Sequence, residues 1–297
     1  MNKKSPMTKL TLKDFQAMFP TDDSCLDFIR SKRYSQRIDC PKCGKNSLFH
    51  HDNGKKSYSC DHCGYHLSPT AGTIFHKSPT PLTIWFYVIY LMAQTRGGIS
   101  AKQIQRETGV TYKCAWRMCK QVRSMLNEPN NLFTGNVELD ESYFGGKSHG
   151  TRGRGADNKT PVFGMVERGG KVSARKVSNV KARTILPIVW KNVEHGSQIF
   201  TDEFRVYNAL PVMGYKHESV PHAEKIYVLG NAHTNTIEGF WSQCKNGIRG
   251  VYHAVSAKYL QNYLNEYAFR YNHRDDVTPM CLSFLSLAAL PVRGQAE

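Results

Sequence analysis

Three acidic residues, Asp140, Asp202 and Glu238, are spaced as ligands of catalytic metal ions. Asp140 lies in an alternating stretch, 137–141, that predicts a β-strand, and Asp202 ends an apolar strand predicted over 198–202. Neighbouring strands bring such carboxylates to one end of a sheet, and Glu238 would join them from a helix packed on that sheet. Carboxylate oxygens bind hard cations such as Mg²⁺ or Mn²⁺. Two such ions activate a water or a 3′-hydroxyl and stabilise the leaving oxygen in phosphoryl transfer.

Neighbouring side chains compete for these roles. Glu138 is the strongest competing ligand, because side chains two residues apart on a strand share a face and Glu138 therefore accompanies Asp140. Asn235, one helical turn before Glu238, is a second competitor. Further polar residues close to the acids are Glu141, Glu203, His222 and His233. Lys245 lies two helical turns after Glu238, on the same helix face, where we expect it to contact phosphate.

Four of the nine cysteines form two CxxC pairs, each followed directly by glycine. One motif contains Cys40 and Cys43, the other contains Cys60 and Cys63, and 16 residues separate the two motifs. Four thiolates at this spacing predict a structural Zn²⁺ site in a zinc ribbon, with a hairpin that turns at Asn53-Gly54. Two redox-active CxxC motifs are the alternative, but no βαβ pattern surrounds them.

The segment between the cysteines and the acids predicts helices. An apolar helix is expected over 81–93, followed by helices over 100–107 and 112–126 that are joined by a glycine-containing turn. Helix, short turn and helix form the helix-turn-helix pattern of DNA-binding proteins. The second helix carries four cations suited to phosphate and guanine: Lys113, Arg117, Lys120 and Arg123. An ordinary helical hairpin with a polar face is the alternative.

The composition favours a polyanionic partner. The 297 residues carry 40 Lys and Arg against 24 Asp and Glu, a formal net charge of +16, and 40% of them are hydrophobic. This composition excludes a disordered chain, and the positive excess favours nucleic acid. The most apolar stretch, 81–93, is shorter than the ~20 residues that cross a bilayer, and no secretory signal is visible. We therefore expect a cytoplasmic, nucleoid-associated protein without a membrane partner.

The elements around the acids predict an α/β domain. Beyond the two strands that carry Asp140 and Asp202, strands are expected over 161–166, 171–177 and 217–220, and helices over 181–193, 233–245 and 259–271. The last of these helices ends in Arg270 and Arg274, which are expected DNA contacts. Core packing is the alternative explanation for the aromatic residues of that helix.

Five further motifs stand out after the cysteines. They are DESYFGGK (140–147), TDEFRVY (201–207), HTNTIEGFWS (233–242), RGVYHAVS (249–256) and YLNEYAFRYNHR (263–274). Together with the zinc ribbon they resemble the ISXO2-like transposases of the IS1595 insertion-sequence family, over nearly the whole chain after about residue 15.

The resemblance implies a ribonuclease H-like domain of the DDE type. Carried over to this chain, Asp140 and Asp202 are the two aspartates, Glu238 is the third acid, and Lys245 is the basic residue that follows. The third position is sometimes Asn in the family, so Asn235 stays a candidate. The implied enzyme binds the terminal inverted repeats of its element, cuts DNA with Mg²⁺ or Mn²⁺ and transfers the 3′-hydroxyl to target DNA, with Arg249 as a further phosphate contact.

The expected organisation has four parts. They are an N-terminal helical segment (1–35), the zinc ribbon (36–68), a helix-turn-helix region (69–130) and the ribonuclease H-like domain (131–297). A homodimer or larger assembly on double-stranded DNA is expected, because two DNA ends must be joined in one complex. Two different functions stay open: a zinc-ribbon regulator that binds DNA without cutting it, and a structure-specific nuclease that cuts without joining.

Overall fold

The computed structural model describes residues 10–128, 132–145, 159–220 and 233–292. In chain order the helices are α1 (Leu12–Met18), α2 (Asp22–Arg33), α3 (Leu82–Gln94), α4 (Ala101–Thr108), α5 (Tyr112–Met125), α6 (Ala182–Asn192), α7 (Asn235–Gly247), α8 (Leu260–Asn272) and α9 (Met280–Ala288). The strands are β1 (Arg37–Asp39), β2 (Asn46–His51), β3 (Tyr58–Cys60), β4 (His66–Leu67), β5 (Asn136–Phe144), β6 (Thr160–Glu167), β7 (Val172–Lys176), β8 (Gln198–Asp202) and β9 (Lys216–Val220). His222 lies outside the described residues.

The chain divides into two compact units, Met1–Met125 with Asp275–Glu297, and Leu126–Arg274. The helices and strands expected from the sequence are present in both, with ends that differ by up to three residues. No described helix is long and apolar enough to cross a membrane.

The first unit contains a small antiparallel sheet with strands in the order β1-β2-β3-β4. The expected hairpin at Asn53-Gly54 is confirmed, because Phe49 pairs with Cys60 and His51 with Tyr58 on either side of it. Gly54 has a φ of +70°, a left-handed conformation that glycine adopts without strain. The hairpin therefore brings the second CxxC pair back beside the first.

A helical group completes the first unit. Because α3 is apolar on all sides, it is buried at the centre of this group, and α9 and α5 both pack on it. The part expected over 131–297 includes the residues of α9. In the structure, α9 packs instead on helices of the first unit. The apolar side chains of α9, among them Phe284 and Leu285, are the physical reason.

Two of these helices, α4 and α5, are joined by a short turn. The hydroxyl of Ser100 accepts a hydrogen bond from the Gln103 amide at 3.2 Å and so caps the start of α4. Gly109 ends that helix with a φ of +71°, and the Thr111 hydroxyl accepts from the Cys114 amide at 3.3 Å as α5 begins. The local sequence therefore specifies both ends of the turn.

The second unit is built on a five-stranded sheet in the order β7-β6-β5-β8-β9. The strands β7, β6 and β5 are antiparallel neighbours, whereas β8 and β9 run parallel to β5. One face of the sheet is covered by α6, whose Ile185 and Val189 pack with Val137 and Leu139 of β5. The other face is covered by α7 and α8, so helices lie on both sides of the sheet.

Side-chain amides cover the outer edge of the sheet. Asn272 accepts from the Val172 amide at 2.7 Å and donates to the Val172 carbonyl at 3.1 Å. Gln261 accepts from the Lys176 amide at 2.8 Å and donates to the Ala174 carbonyl at 2.9 Å. Because an uncovered edge strand is a template for pairing with another chain, these two side chains of α8 protect β7.

The chain leaves α7 through a π-helical turn, Ile248–Tyr252, and then reverses at His253. His253 has φ +61° and ψ −49°, and the Ala254 amide donates to the Tyr252 carbonyl at 2.7 Å. This is a γ-turn of the rare, strained kind. Such a backbone costs about 1–3 kcal/mol and persists where the surrounding structure imposes it.

Candidate active site and zinc centre

The strand register places Asp140 beside Asp202. In the parallel pair β5 and β8, Asn136 lies opposite Gln198 and Glu138 opposite Phe200. The same offset, continued two residues further, sets Asp140 opposite Asp202. The two side chains therefore lie side by side at the end of β8, next to the middle of β5.

Trp241 of α7 orients Asp140. Its indole Nε1 donates to Asp140 Oδ2 at 3.0 Å, and the Glu141 amide donates to Asp140 Oδ1 at 2.8 Å. The indole is buried and packs edge-on against Phe144. Both oxygens of Asp140 therefore have a fixed direction before any ligand arrives.

Gly164 of β6, directly across from Asp140 in the register, makes room for this indole. A Cβ at position 164 would lie 2.4 Å from Trp241 Cζ2 and 2.9 Å from Ile237 Cδ1. The contact atoms belong to a ring that is itself packed on both sides. Any side chain at 164 would therefore displace the group that holds Asp140.

Glu238 reaches the two aspartates from the first turn of α7. The Thr234 hydroxyl donates to Glu238 Oε1 at 2.8 Å. Burial raises the pKa of Asp140 to about 8, and the charges of Glu141, Asp202 and Glu238 add to this rise. Asp202 and Glu238 therefore lie near enough to Asp140 for their charges to act on it.

The donor set fits divalent cations, which carboxylate oxygens bind in preference to softer metals. In the described part of the chain, the ligand atoms of the three acids do not all fall within 4.8 Å of one another, so the carboxylates do not form one compact cluster in this structure.

Glu138 is an anchor for α7 in this structure. Its Oε2 accepts from the amides of Thr236 and Ile237 at 2.9 and 3.0 Å, where the N-terminus of α7 carries partial positive charge. Its Oε1 accepts from Arg168 Nε at 2.7 Å, and His233 Nδ1 lies 3.2 Å away. A fully buried carboxylate with these partners holds strand and helix together, so a role for Glu138 as a metal ligand is not supported.

Glu141 and Asn235 are placed differently from Glu138. The side chain of Glu141 lies on the opposite face of β5 from Asp140 and accepts a hydrogen bond from the buried hydroxyl of Tyr207. Asn235 is the first residue of α7, one turn before Glu238, so it stays a candidate for the third ligand.

Lys245 is half-buried near the acids. Burial lowers the pKa of its ammonium group, the charge of Asp140 opposes this, and the charges of Arg249 and Lys159 lower it further. Lys245 and Arg249 also line the same small cleft. A group of cations therefore lies beside the three acids, where a phosphate would carry its negative charge.

The two CxxC pairs converge in the first unit. Cys40 Sγ lies 3.6 Å from Cys63 Sγ, and Cys43 Sγ lies 4.0 Å from Cys60 Sγ. Within the described residues, these cysteines are the one group of three or more possible ligands whose atoms all lie within 4.8 Å of one another.

The backbone around these cysteines supports a thiolate cluster. The amides of Gly44 and Gly64 donate to the carbonyls of Cys40 and Cys60, and both glycines have a positive φ. Burial would raise the pKa of Cys60, but hydrogen bonds from Ser47 and from two backbone amides lower it to about 6. Four sulfur ligands in two tight turns fit Zn²⁺ as a closed structural site.

The four cations predicted on α5 do not share one surface. Lys113 and Lys120 are exposed. Arg117 is partly buried and stacks over Trp85, with 5.8 Å from its Cζ to the ring centre. Arg123 is buried and donates to the Ile99 carbonyl at 3.4 Å, so the expected DNA contact at Arg123 is corrected to a packing role.

The two arginines at the end of α8 are also held by the protein. Arg270 is buried and its Nη2 lies 2.7 Å from Glu266 Oε1, which corrects the expected DNA contact at Arg270. Arg274 is partly exposed, donates to the Gly170 carbonyl at 3.2 Å and stacks on Tyr271. Arg274 therefore keeps one side toward solvent, and its contact with DNA stays a prediction.

Three residues that support the site were missed in the sequence. Trp241 lies in one of the motifs that resemble the family, but the sequence did not indicate that its indole contacts Asp140. Arg168 follows a predicted strand and resembles any surface cation. Gly164 carries no signal, because only the packing of Trp241 shows why it lacks a side chain.

Comparisons with known proteins match the chain to one family of proteins. Residues 133–272, which include the three acids and Lys245, match the family model of the ISXO2-like transposase domain, and residues 20–66 match that of the transposase zinc-ribbon domain. The chain is 28% identical over 273 residues to an uncharacterized protein in transposable element ISH50 of Halobacterium salinarum, over 85% of this chain and 91% of that protein. It is 29% identical over 105 residues to an uncharacterized transposase-like protein of Haemophilus influenzae, over 35% of this chain and 84% of that protein. The chain belongs to the IS1595 family of ISXO2-like transposases.

Proposed function

We propose that the chain is a DNA transposase that cuts the ends of an insertion sequence and joins the resulting 3′-hydroxyls to target DNA. The observation that carries this proposal is the convergence of Asp140, Asp202 and Glu238 on one end of the sheet. Three antiparallel strands followed by two parallel ones, with acids on adjacent central strands, support a ribonuclease H-like domain of the DDE type.

In this proposal the acids hold two Mg²⁺ or Mn²⁺ ions. When bound, such ions activate the attacking oxygen and stabilise the leaving oxygen. Asp140 presents its carboxylate in the direction set by Trp241, while Asp202 and Glu238 complete the ligand set. Lys245 and Arg249 bind phosphate oxygens and hold the DNA strand in line with the acids.

The first unit would recognise the DNA. A Zn²⁺ ion held by Cys40, Cys43, Cys60 and Cys63 keeps the ribbon folded, and the pair α4 and α5 acts as a helix-turn-helix. Lys113 and Lys120, with Arg117 behind them, would contact the terminal inverted repeats. This assignment keeps the expected parts 1–35, 36–68 and 69–130 as proposals, and moves α9 out of the catalytic part that begins at 131.

The chain would work as a dimer or larger assembly on double-stranded DNA, in the cytoplasm where the nucleoid lies. Two element ends must be processed together, and one set of three acids serves one end at a time. This expectation is tested by the mass of the complex that the protein forms with two end duplexes, measured in solution by light scattering.

The test of the activity uses purified protein, Mg²⁺ or Mn²⁺, DNA with the element's own ends, and a plasmid target. Wild type is compared with Asp202→Asn, Glu238→Gln and Asn235→Ala. Joined products from wild type and Asn235→Ala, but not from the two acid variants, are expected. Joined products from Glu238→Gln with none from Asn235→Ala would make Asn235 the third ligand instead.

Two different outcomes would replace the proposal. Cleavage without joined products would favour a structure-specific nuclease. Tight binding to the ends, with no cleavage in either metal, would favour a regulator that uses the ribbon and helix-turn-helix alone.

A further inference from the structure

The motif RGVYHAVS (249–256) forms the exit from α7, and only its arginine has a part in the proposed reaction. It contains the π-helical turn and the strained residue His253. Single π-helical turns and residues with a strained backbone are both concentrated at functional sites. His253 is therefore a candidate functional residue.

A cleft of about 60 Å³ lies where this motif meets the end of β5. Its polar lining comes from Tyr143, Lys245, Arg249 and His253, and the described lining includes no acidic side chain. The cleft therefore suits an anionic group.

The cleft is next to the three acids. Phe144, which also lines the cleft, is four residues beyond Asp140 on the same face of β5, and Lys245 lies close enough to feel the charge of Asp140. The acids would act on the scissile phosphate, so an anion in the cleft would belong to a neighbouring position on the same strand. Phosphates of a DNA strand are the anions that fit this spacing.

The backbone that leads into His253 is held in place by packing. The π-helical turn precedes it, and Tyr252 packs edge-on against Tyr263 of α8 at 4.7 Å between ring centres. The strain is therefore imposed by packing, and its effect is to set an imidazole at the cleft where a glycine would relieve the strain.

We propose that the cleft of Tyr143, Lys245, Arg249 and His253 binds one DNA phosphodiester beside the scissile one, and that the γ-turn exists to hold the His253 ring there. The proposal rests on the transposase function and adds a second phosphate site to it. His253 is assigned as a binding residue, and the γ-turn positions it.

The test replaces single phosphates in a DNA duplex by uncharged methylphosphonates. The duplex carries the element's end, and binding of the full chain is measured by fluorescence anisotropy without added divalent ion. For wild type we expect one position next to the cut at which the replacement weakens binding about threefold or more. In His253→Gly and Arg249→Gln, replacement at that position has no further effect, whereas the remaining positions keep theirs.

Control variants separate this role from a structural one. His253→Gly relieves the positive φ and should melt at the wild-type temperature or above it, and His253→Asn, which tolerates positive φ, should behave alike. Lys191→Gln removes an exposed charge on α6, on the other face of the sheet, and should keep the complete wild-type profile. Arg249→Gln should also lower the slope of log K against log salt concentration by about 1.

The experiment has different outcomes if the phosphate site is wrong and if the transposase function is wrong. If His253→Gly keeps the wild-type affinity and the wild-type response at every position, the cleft binds no phosphate through His253 and the inference is wrong, although cutting and joining still hold. If wild type neither binds the ends nor cuts them, the transposase function fails and this inference fails with it.

Discussion

The carboxylate of Asp140 is oriented by an indole 101 positions further along the chain. Trp241→Phe removes the N–H that reaches Asp140, together with the outer ring atoms Cζ2 and Cη2 that lie beside Gly164. Groups that orient a metal ligand contribute 10–100-fold to metal affinity or activity. We expect Trp241→Phe to need about tenfold or more Mg²⁺ for half-maximal cutting, with a lower melting temperature because the smaller ring leaves a cavity.

A neighbouring aromatic supplies the matched control for that change. Phe240→Leu alters the same core next to Trp241 without touching Asp140. It should lower the melting temperature and leave the Mg²⁺ dependence of cutting unchanged. Equal Mg²⁺ dependence in wild type and Trp241→Phe would show that the N–H has no part in orienting the ligand.

Gly164→Ala tests the same support through sterics. The added methyl group would lie 2.4 Å from the indole, so Trp241 or β6 must shift. Overpacking of this kind costs about 1–3 kcal/mol. We expect a lower free energy of unfolding, measured in urea, together with the same rise in Mg²⁺ requirement. A stable variant with wild-type Mg²⁺ dependence would contradict the close packing at this position.

Burial and the neighbouring acids raise the pKa of Asp140 to about 8, which predicts a pH dependence of stability. Between pH 4 and 8 the unfolded chain has lost this proton and the folded chain keeps it, so folding stability falls as pH rises. Asp140→Asn replaces the carboxyl group by an amide, which does not titrate in this pH range. Without divalent ions, its melting temperature should exceed that of wild type by a margin that grows from pH 4 to 8. A constant margin would mean that Asp140 titrates normally.

At the scale of elements, one buried carboxylate connects β5 to α7. Glu138 accepts bonds from Arg168 and from two amides of the helix. Removing one partner of a buried pair costs about 3–5 kcal/mol because the other charge is left without compensation. Glu138→Ala should lose about that much stability in urea denaturation.

Two further variants distinguish the effect of the buried charge on stability from the effect of losing the side chain. Glu138→Gln retains an acceptor for the helix amides and should lose less stability than Glu138→Ala. Glu203→Ala, at an exposed acid next to β8, is the surface control and should be nearly neutral. Wild-type stability in Glu138→Ala would show that strand and helix are held by different contacts.

Another pair of side chains protects the edge of the sheet. Gln261→Leu with Asn272→Leu would leave the outward amides and carbonyls of β7 without partners and open to another strand. Size-exclusion chromatography of the double variant should show more self-association as concentration rises. Gln243→Leu, on the exposed surface of α7, changes the same kind of side chain away from the edge and should not associate.

These elements were largely predictable from the sequence, and their supporting contacts were not. Alternation in β5, the acid that ends β8 and the apolar run of α3 are local signals, so strand, site and buried helix followed from them. Glu138 and Asp140 give the same local signal. Only the contacts with Thr236 and Arg168 distinguish the anchor from the ligand, and those depend on tertiary structure.

Burial explains the corrections in the same way. The sequence shows four cations at helical spacing on α5, but it does not show which of them faces α3. Arg123 is buried, and Arg270 pairs with Glu266 one helical turn earlier, a pairing that the charge pattern allows without requiring.

At the scale of the whole molecule, the zinc ligands and the acids belong to different units. Cys43→Ser should therefore lower zinc content, measured by atomic absorption, and unfold the ribbon, since such sites depend on their metal to fold. End-specific binding should fall, whereas slow cutting of non-specific DNA by the acids should continue. Loss of both activities together would show that the units do not work separately. Cys25→Ser, at a buried cysteine outside the cluster, should keep the zinc content of wild type.

The bond between Glu138 and Thr236 spans 98 residues, and this separation has a consequence during protein synthesis. A ribosome adds about 5–20 residues per second, so Glu138 waits several seconds for the helix that neutralises it. Over that interval the nascent chain holds two of its acids on unfinished strands, while Glu238 and Trp241 do not yet exist. A chain stalled before α7 therefore lacks Glu238 and Trp241, and the proposed site is complete only after both have been made.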